Sequence, residues 1–194
     1  ERYAVAHDFL SPELGEEVLS ISLLVNAFFR WEFNSCECLL RGDQVHPIDY
    51  ANASPDVALT SLHYYFPWAI KTLLKWCTFC LVSGRRPQLD LDTHRYFEIA
   101  DREDLTYEDK LAAYRVLVDE YFDANRYQDF CASRLPHLDE LVLNWIDSAD
   151  FDRLLVNTVR SSYPRHEHEQ FIEHLRGLVG QWVREQDRRP VGAG

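Results

Sequence analysis

Residues 31–56 read WEFNSCECLLRGDQVHPIDYANASPD, and the alternation within them decides how the chain begins to fold. Leu39, Leu40, Val45 and Ile48 flank RGDQ, with Gly42 and Asp43 at its centre, so the stretch reads as two short strands over 31–40 and 45–50 joined by a turn. Alternate residues of a strand share a face, which sets Phe33, Ser35, Glu37 and Leu39 against Asn34, Cys36 and Cys38. If residues 42–44 form a three-residue loop, Glu37 stands directly opposite Asp49. If Gly42 and Asp43 form a two-residue turn, Asp49 falls on the other face. Two facing carboxylates repel and weaken the strand pair. A hard divalent cation turns that repulsion into a ligand set, because Mg²⁺ takes one or two carboxylates, a neutral oxygen such as an asparagine amide, waters and phosphates. The plainer alternative is an edge hairpin whose acids face solvent, with Asn52, Pro55 and Asp56 serving the turn that follows.

Outward from the hairpin the chain reads as helical. Before it, Leu14, Val18, Ile21, Val25 and Phe28 step by four and three over 12–29, the pattern of one buried helical face. Ser11 supplies the N-cap, Pro12 the first helical position, and Glu13, Glu16 and Glu17 lie near the positive end of the dipole. After it, Phe66-Pro67-Trp68 suits a helix start, and Ser83-Gly84 followed by Pro87 suits its stop. A long helix is predicted from Thr106 to about Leu135, opened by a capping-box-like Thr106-x-x-Asp109. It carries Tyr107, Leu111, Tyr114, Val118 and Tyr121 on one face. Shorter helices follow over 138–146 and 151–159, and a last one over 167–184 buries Phe171, Leu175, Leu178 and Trp182.

The 194 residues, 46% hydrophobic and 13% aromatic, suffice for a real core. A formal charge of −12 opposes a nucleic-acid or anionic-membrane partner, since such binding rests on Lys and Arg displacing counterions. The longest apolar region, 62–82, is interrupted by Lys71 and Lys75, so no membrane span is expected. Without a basic start and apolar core of signal-peptide length, a cytoplasmic protein is expected, and its five cysteines are expected to be reduced thiols. The sequence contains no methionine, which makes a fragment or processed piece the expectation.

NSCECLLRGDQVHPIDYANASPDV, residues 34–57, resembles the end of an ATP-grasp domain. There an acid on one strand, a turn with glycine, and a second strand ending in acid and asparagine hold the magnesium of bound ATP. Carried over by position, the resemblance makes Glu37 the first metal ligand, Asp49 the bridging acid and Asn52 the asparagine. Uncharacterised bacterial ATP-grasp proteins are similar in the twelve-residue separation of the two acids and in the terminal YPRHEHEQFIEHLRGLVGQW, residues 163–182. The commoner family ending is acid-x-Asn, whereas this chain reads Asp49-x-x-Asn52, so a bend after Tyr50 is required. The resemblance implies part of an Mg²⁺- and ATP-requiring, glutathione-synthetase-like ligase. Such a ligase activates a small carboxylate as an acyl phosphate for attack by an amine or thiol.

The implied fold class is α+β but predominantly α. Residues 1–60 form the metal-binding end of the ATP-grasp lobe with its short antiparallel hairpin, 61–187 a helical domain, and 188–194 (RRPVGAG) a disordered tail. The lobe that carries the phosphate-covering loop and adenine pocket is expected to lie outside these residues, leaving the chain incomplete as a catalyst. The competing reading is a non-catalytic helical interaction or oligomerisation module, possible as a homo-oligomer, whose face from Tyr107 to Tyr121 docks a partner.

Four further groupings have plainer readings. Cys36, Cys38, Cys77 and Cys80 could make a zinc site, but the last two lie inside an apolar helix, where free cysteine behaves as a small hydrophobe. HEHEQFIEH, residues 166–174, is not H-E-x-x-H, and a helix start with capping or packing roles explains it. HYYFPW, residues 63–68, is read as packing at an element junction rather than a ligand platform. Arg85, Arg86 and His94 could touch an anion, though nothing in their spacing demands it.

Overall fold

A computed structural model describes residues 10–42 and 44–186. The expected tail 188–194 and Asp43 of the turn lie outside the described residues. The fold is predominantly helical with one two-stranded antiparallel sheet. The chain divides into two compact units, and the division is discontinuous in sequence. One unit holds the described residues up to Pro55 together with Gly84–Asp129; the other holds Asp56–Ser83 with the described residues from Phe130 onward. The segment after Gly84 joins the hairpin's unit.

In the first unit, helix α1 spans Pro12–Phe29 as predicted, and the Ser11 hydroxyl accepts the Leu14 N–H at 3.2 Å. It ends at Arg30, which adopts the left-handed conformation (φ 59°, ψ 34°) while Arg30 and Trp31 donate their N–H groups back to Ala27 and Asn26. Strands β1 (Ser35–Arg41) and β2 (Gln44–Asn52) follow, then helices α4 (His94–Ala100) and α5 (Tyr107–Phe122). The Thr106/Asp109 capping box is present in both directions. Ala27 of α1 is packed with Val118 and Tyr121 of α5, bordered by Leu23, Leu24 and Phe122. The α5 face expected to dock a partner is therefore occupied at Val118 and Tyr121 by α1. The predicted face of α1 is only half-buried, and the helix packs against both α5 and β2.

The predicted helix over 106–135 is two helices. It breaks at Asp123 (φ 54°, ψ 48°), after which α6 runs Ala124–Arg134. A short polar side chain is among the few that tolerate this left-handed step, so the break needs neither glycine nor proline.

In the second unit, helix α2 (Leu59–Leu62) leads through a 3₁₀ turn (His63–Tyr65) into α3 (Phe66–Ser83). Helices α7 (Leu138–Ile146) and α8 (Ala149–Ser162) and a further 3₁₀ turn (Arg165–Glu167) precede α9 (His168–Gln186). Leu155 and Val159 of α8 pack with Leu175 and Val179 of α9, and Leu59, Phe66 and Phe151 complete the buried apolar cluster. Spacing by four residues puts each pair on one helical stripe, and burying each aliphatic side chain contributes roughly 1.5–3 kcal/mol. Among the described residues no helix is long and apolar enough to cross a membrane.

Candidate functional site

Arg41 pairs with Gln44, Leu40 with Val45, Leu39 with His46 and Cys38 with Pro47. The connection is thus the two-residue one, and that register, continued, would set Asp49 against Cys36. The ladder shifts instead between Cys38 and Glu37, β2 carries Ile48 as an extra residue, and Glu37 stands opposite Asp49. Pro47 adjoins the shift, a position in keeping with the placement of proline at edge strands and bulges. A second shift, between Glu37 and Ser35, puts Asn52 opposite Ser35. Since Ser35 and Glu37 share a face, their partners Asp49 and Asn52 join it despite the three-residue step between them.

Glu37, Asp49 and Asn52 are exposed, and Ser35 is half-buried. Asp49 Oδ1 accepts the Ala51 N–H at 3.2 Å and Asn52 Oδ1 the Ser54 N–H at 3.4 Å, turns that fix both side chains close to the backbone. Asp56 faces elsewhere: it accepts the Ser61 hydroxyl and the Ala58 N–H (2.8 Å) at the start of α2, and these bonds, Ser61 first, hold its carboxyl below the usual range. Among the described residues no group of three or more His, Cys, Asp and Glu side chains is arranged to hold a metal ion. What the hairpin face offers is two carboxylates and an amide, a donor set of the type that suits Mg²⁺ completed by water and phosphate oxygens.

The inner face is built differently. Cys36, Cys38, Leu40, Val45 and Tyr50 are half-buried, and the Cys38 Sγ lies 2.8 Å from the Tyr50 hydroxyl. Burial, then the Cys38 thiol, pushes the Tyr50 phenol well above its ordinary range, and burial likewise raises Cys36. The Asn34 amide nitrogen donates to Asn26 Oδ1 (2.9 Å) and to the Tyr50 carbonyl (2.8 Å), tying the hairpin to α1.

A second polar cluster was not anticipated from the sequence beyond Arg85. The Tyr121 ring, 3% exposed, has the Arg30 Cζ 4.7 Å and the Arg85 Cζ 5.1 Å from its centroid. Arg85 donates from Nε to Glu32 at 3.0 Å and from Nη2 to the Tyr121 carbonyl at 2.7 Å, and the Tyr121 hydroxyl donates to Glu32 at 3.4 Å. Burial, with the Glu32 charge second, pushes the Tyr121 phenol up to about 12. Arg30 and Glu32 flank Trp31 in the chain, a signal too common to single them out.

The remaining candidates take structural positions. Cys77 is exposed and Cys80 half-buried on α3. His168 meets the Tyr163 carbonyl at 2.9 Å where Tyr163 stacks on Phe171 at the start of α9, while His166 is exposed. Tyr64 and Phe66 are buried, and Trp68 is 53% exposed. Arg86 is exposed, and His94 Nδ1 lies 3.0 Å from Asp92. No family model, no curated protein and no solved structure matches the chain.

Proposed function

We propose that this chain is the C-terminal portion of a cytoplasmic ATP-grasp-type ligase, joining a small carboxylate to an amine or thiol through an acyl phosphate. The observation that carries the reading is the bulge at Ile48, which brings Glu37 opposite Asp49 where the short turn alone would have turned Asp49 inward. Acids paired across two strands without a cation between them are unfavourable, and the second bulge adds Asn52 to the same face as the resemblance requires. In this reading the sheet is the metal-binding remnant of the nucleotide lobe. Mg²⁺ held there would neutralise charge on the β and γ phosphates of ATP. Glu37, Asp49 and Asn52 act as its template; their work is positioning rather than proton transfer.

The test is Mg²⁺-dependent ATP turnover, with mixtures of carboxylates and amines, in a polypeptide that also carries the second lobe. Glu37→Gln or Asp49→Asn is expected to abolish turnover, a loss on the order of a hundredfold or more for a phosphoryl-transfer metal ligand. Wild-type turnover in both variants would overturn the reading.

A further inference from the structure

We propose that the groove between α1, α4 and α5 docks a basic amphipathic segment of a partner protein. One bulky apolar side chain of the partner enters the groove, and its flanking lysines or arginines meet the acids of α4 and the loop that follows. The inference stands apart from the ligase reading, because none of its residues belongs to the hairpin.

The groove, about 220 Å³, is walled by Leu24, Val25 and Phe28 of α1, Phe97 and Ala100 of α4, and Tyr114 of α5. Drug-sized ligands are held in pockets of roughly 300 Å³ upward that cover most of their surface. An open groove below that size suits a side chain delivered by a larger molecule, which makes its remaining contacts outside. Phe97 is 55% exposed and Phe29, also on the groove, 43%, so two rings stand there with much of their surface in water, available to an apolar insert. The other rings are already fixed. Phe28 meets Phe29 at 4.8 Å, Tyr96 at 5.2 Å and Phe97 at 6.0 Å, each edge-on, and the Tyr114 hydroxyl donates to the Tyr96 carbonyl at 3.2 Å. A floor built in advance binds without the cost of being ordered first.

Charge selects the occupant. The α1 wall is neutral, since residues 18–29 carry no ionisable side chain. The α4 side is acidic: over residues 97–110, Glu98, Asp101, Glu103, Asp104, Glu108 and Asp109 outnumber Arg102 and Lys110. Both of those cations are engaged. Arg102 donates to Asp104 through two bonds of 2.6 Å, and the Lys110 ammonium donates to the Ala100 carbonyl at 2.7 Å while its charge acts on Asp104. Glu98, Asp101 and Glu103 are exposed and, among the described residues, enter no ion pair.

Glu98 and Asp101 directly follow the groove residues Phe97 and Ala100 in the chain. The Asp101 charge, second to burial, raises the Tyr114 phenol above its ordinary range, which places that carboxylate near the groove's α5 wall. A cationic flank thus finds carboxylates without counter-ions beside an apolar slot. A second copy of the chain, at a formal charge of −12, is repelled from the same place, as is an acidic peptide.

The experiment is amide-shift titration of the whole 194-residue chain with short synthetic peptides: a leucine–lysine amphipathic helix, its leucine–glutamate counterpart, and a serine–lysine peptide of the same charge. The leucine–lysine peptide is expected to shift residues 24–29, 97–101 and the surroundings of Tyr114, binding about tenfold or more tighter than either of the others. Glu98→Lys combined with Asp101→Lys, at exposed positions in the last turn and cap of α4 where a cation is well tolerated, should weaken it about tenfold and tighten the leucine–glutamate peptide. No shift with the leucine–lysine peptide up to about 1 mM, equal binding of its glutamate or serine counterpart, or shifts confined to other elements would overturn the proposal. Self-association of the chain with shifts at the groove would assign it to a second copy and overturn it too. The peptide comparison is made on the unaltered chain, so it decides the matter even if the variant fails to fold.

Discussion

His63 occupies a backbone conformation (φ 49°, ψ −116°) that side-chain-bearing residues rarely adopt. Burial, and to a lesser degree the nearby His174, depresses its pKa below the usual value near 6.5. The folded protein thus favours neutral imidazole while the unfolded chain takes up a proton near pH 6.5, so stability is unaffected above that pH and declines as pH falls below it. His63→Gly removes the titration and suits the positive φ. Urea midpoints measured between about pH 7 and 5 should fall less in this variant than in the parent; an equal fall would show that His63 is not the group responsible. At this scale the spacing left open whether Glu37 and Asp49 face each other, because the answer turned on the length of the connection and on the bulge beside it. The sequence was not informative about Ile48 or Arg30, because a bulge and a left-handed residue are consequences of what a partner strand or a closing helix imposes. Pro47 was the available clue to the bulge, and it is ambiguous without the register.

Helix starts were the most legible elements. Ser11 with Pro12, and Thr106 with Asp109, are side-chain solutions to the unpaired N–H groups of a first turn, and both operate as read. The break between α5 and α6 was not legible, since FDAN at 122–125 carries no proline or glycine and the apolar pattern runs through it. Asp123 supplies the left-handed step itself. Asp123→Gly is expected to leave stability within about 0.5 kcal/mol of the parent, while Asp123→Val should cost roughly 1–2 kcal/mol through its β-branched clash at positive φ. Chemical denaturation of the two variants decides this; indistinguishable midpoints would mean the junction is not strained. Helix α4 also escaped sequence reading: its seven residues are too few to establish a period, and its N-cap Thr93 makes no side-chain cap bond.

Across the molecule, composition set the class of core but not its division. The last helix was expected to bury Phe171, Leu175, Leu178 and Trp182; Leu175 and Trp182 are buried, joined by Val179, while Phe171 and Leu178 are half-buried. The return of Gly84–Asp129 to the hairpin's unit could not be read, because it depends on Tyr121 finding Ala27, Arg30 and Arg85 across long stretches of sequence. In the second unit Leu155 is fully buried. Leu155→Ala is therefore expected to cost about 2–5 kcal/mol, with hydrogen exchange in α8 and α9 accelerating in step; a change under about 0.5 kcal/mol, the usual range for a surface site, would mean the cluster is loosely packed.

The two bulges of β2 also give the hairpin a length reserve. Removing Ile48 would straighten the ladder and leave the acid still opposite Glu37, since the residue after Pro47 is the one that inherits the pairing. Loss of a single codon there alters the curvature of the strand and spares its outward chemistry. A substitution at Glu37 or Asp49 does the reverse: it alters the outward face and leaves the register of the strand as it was.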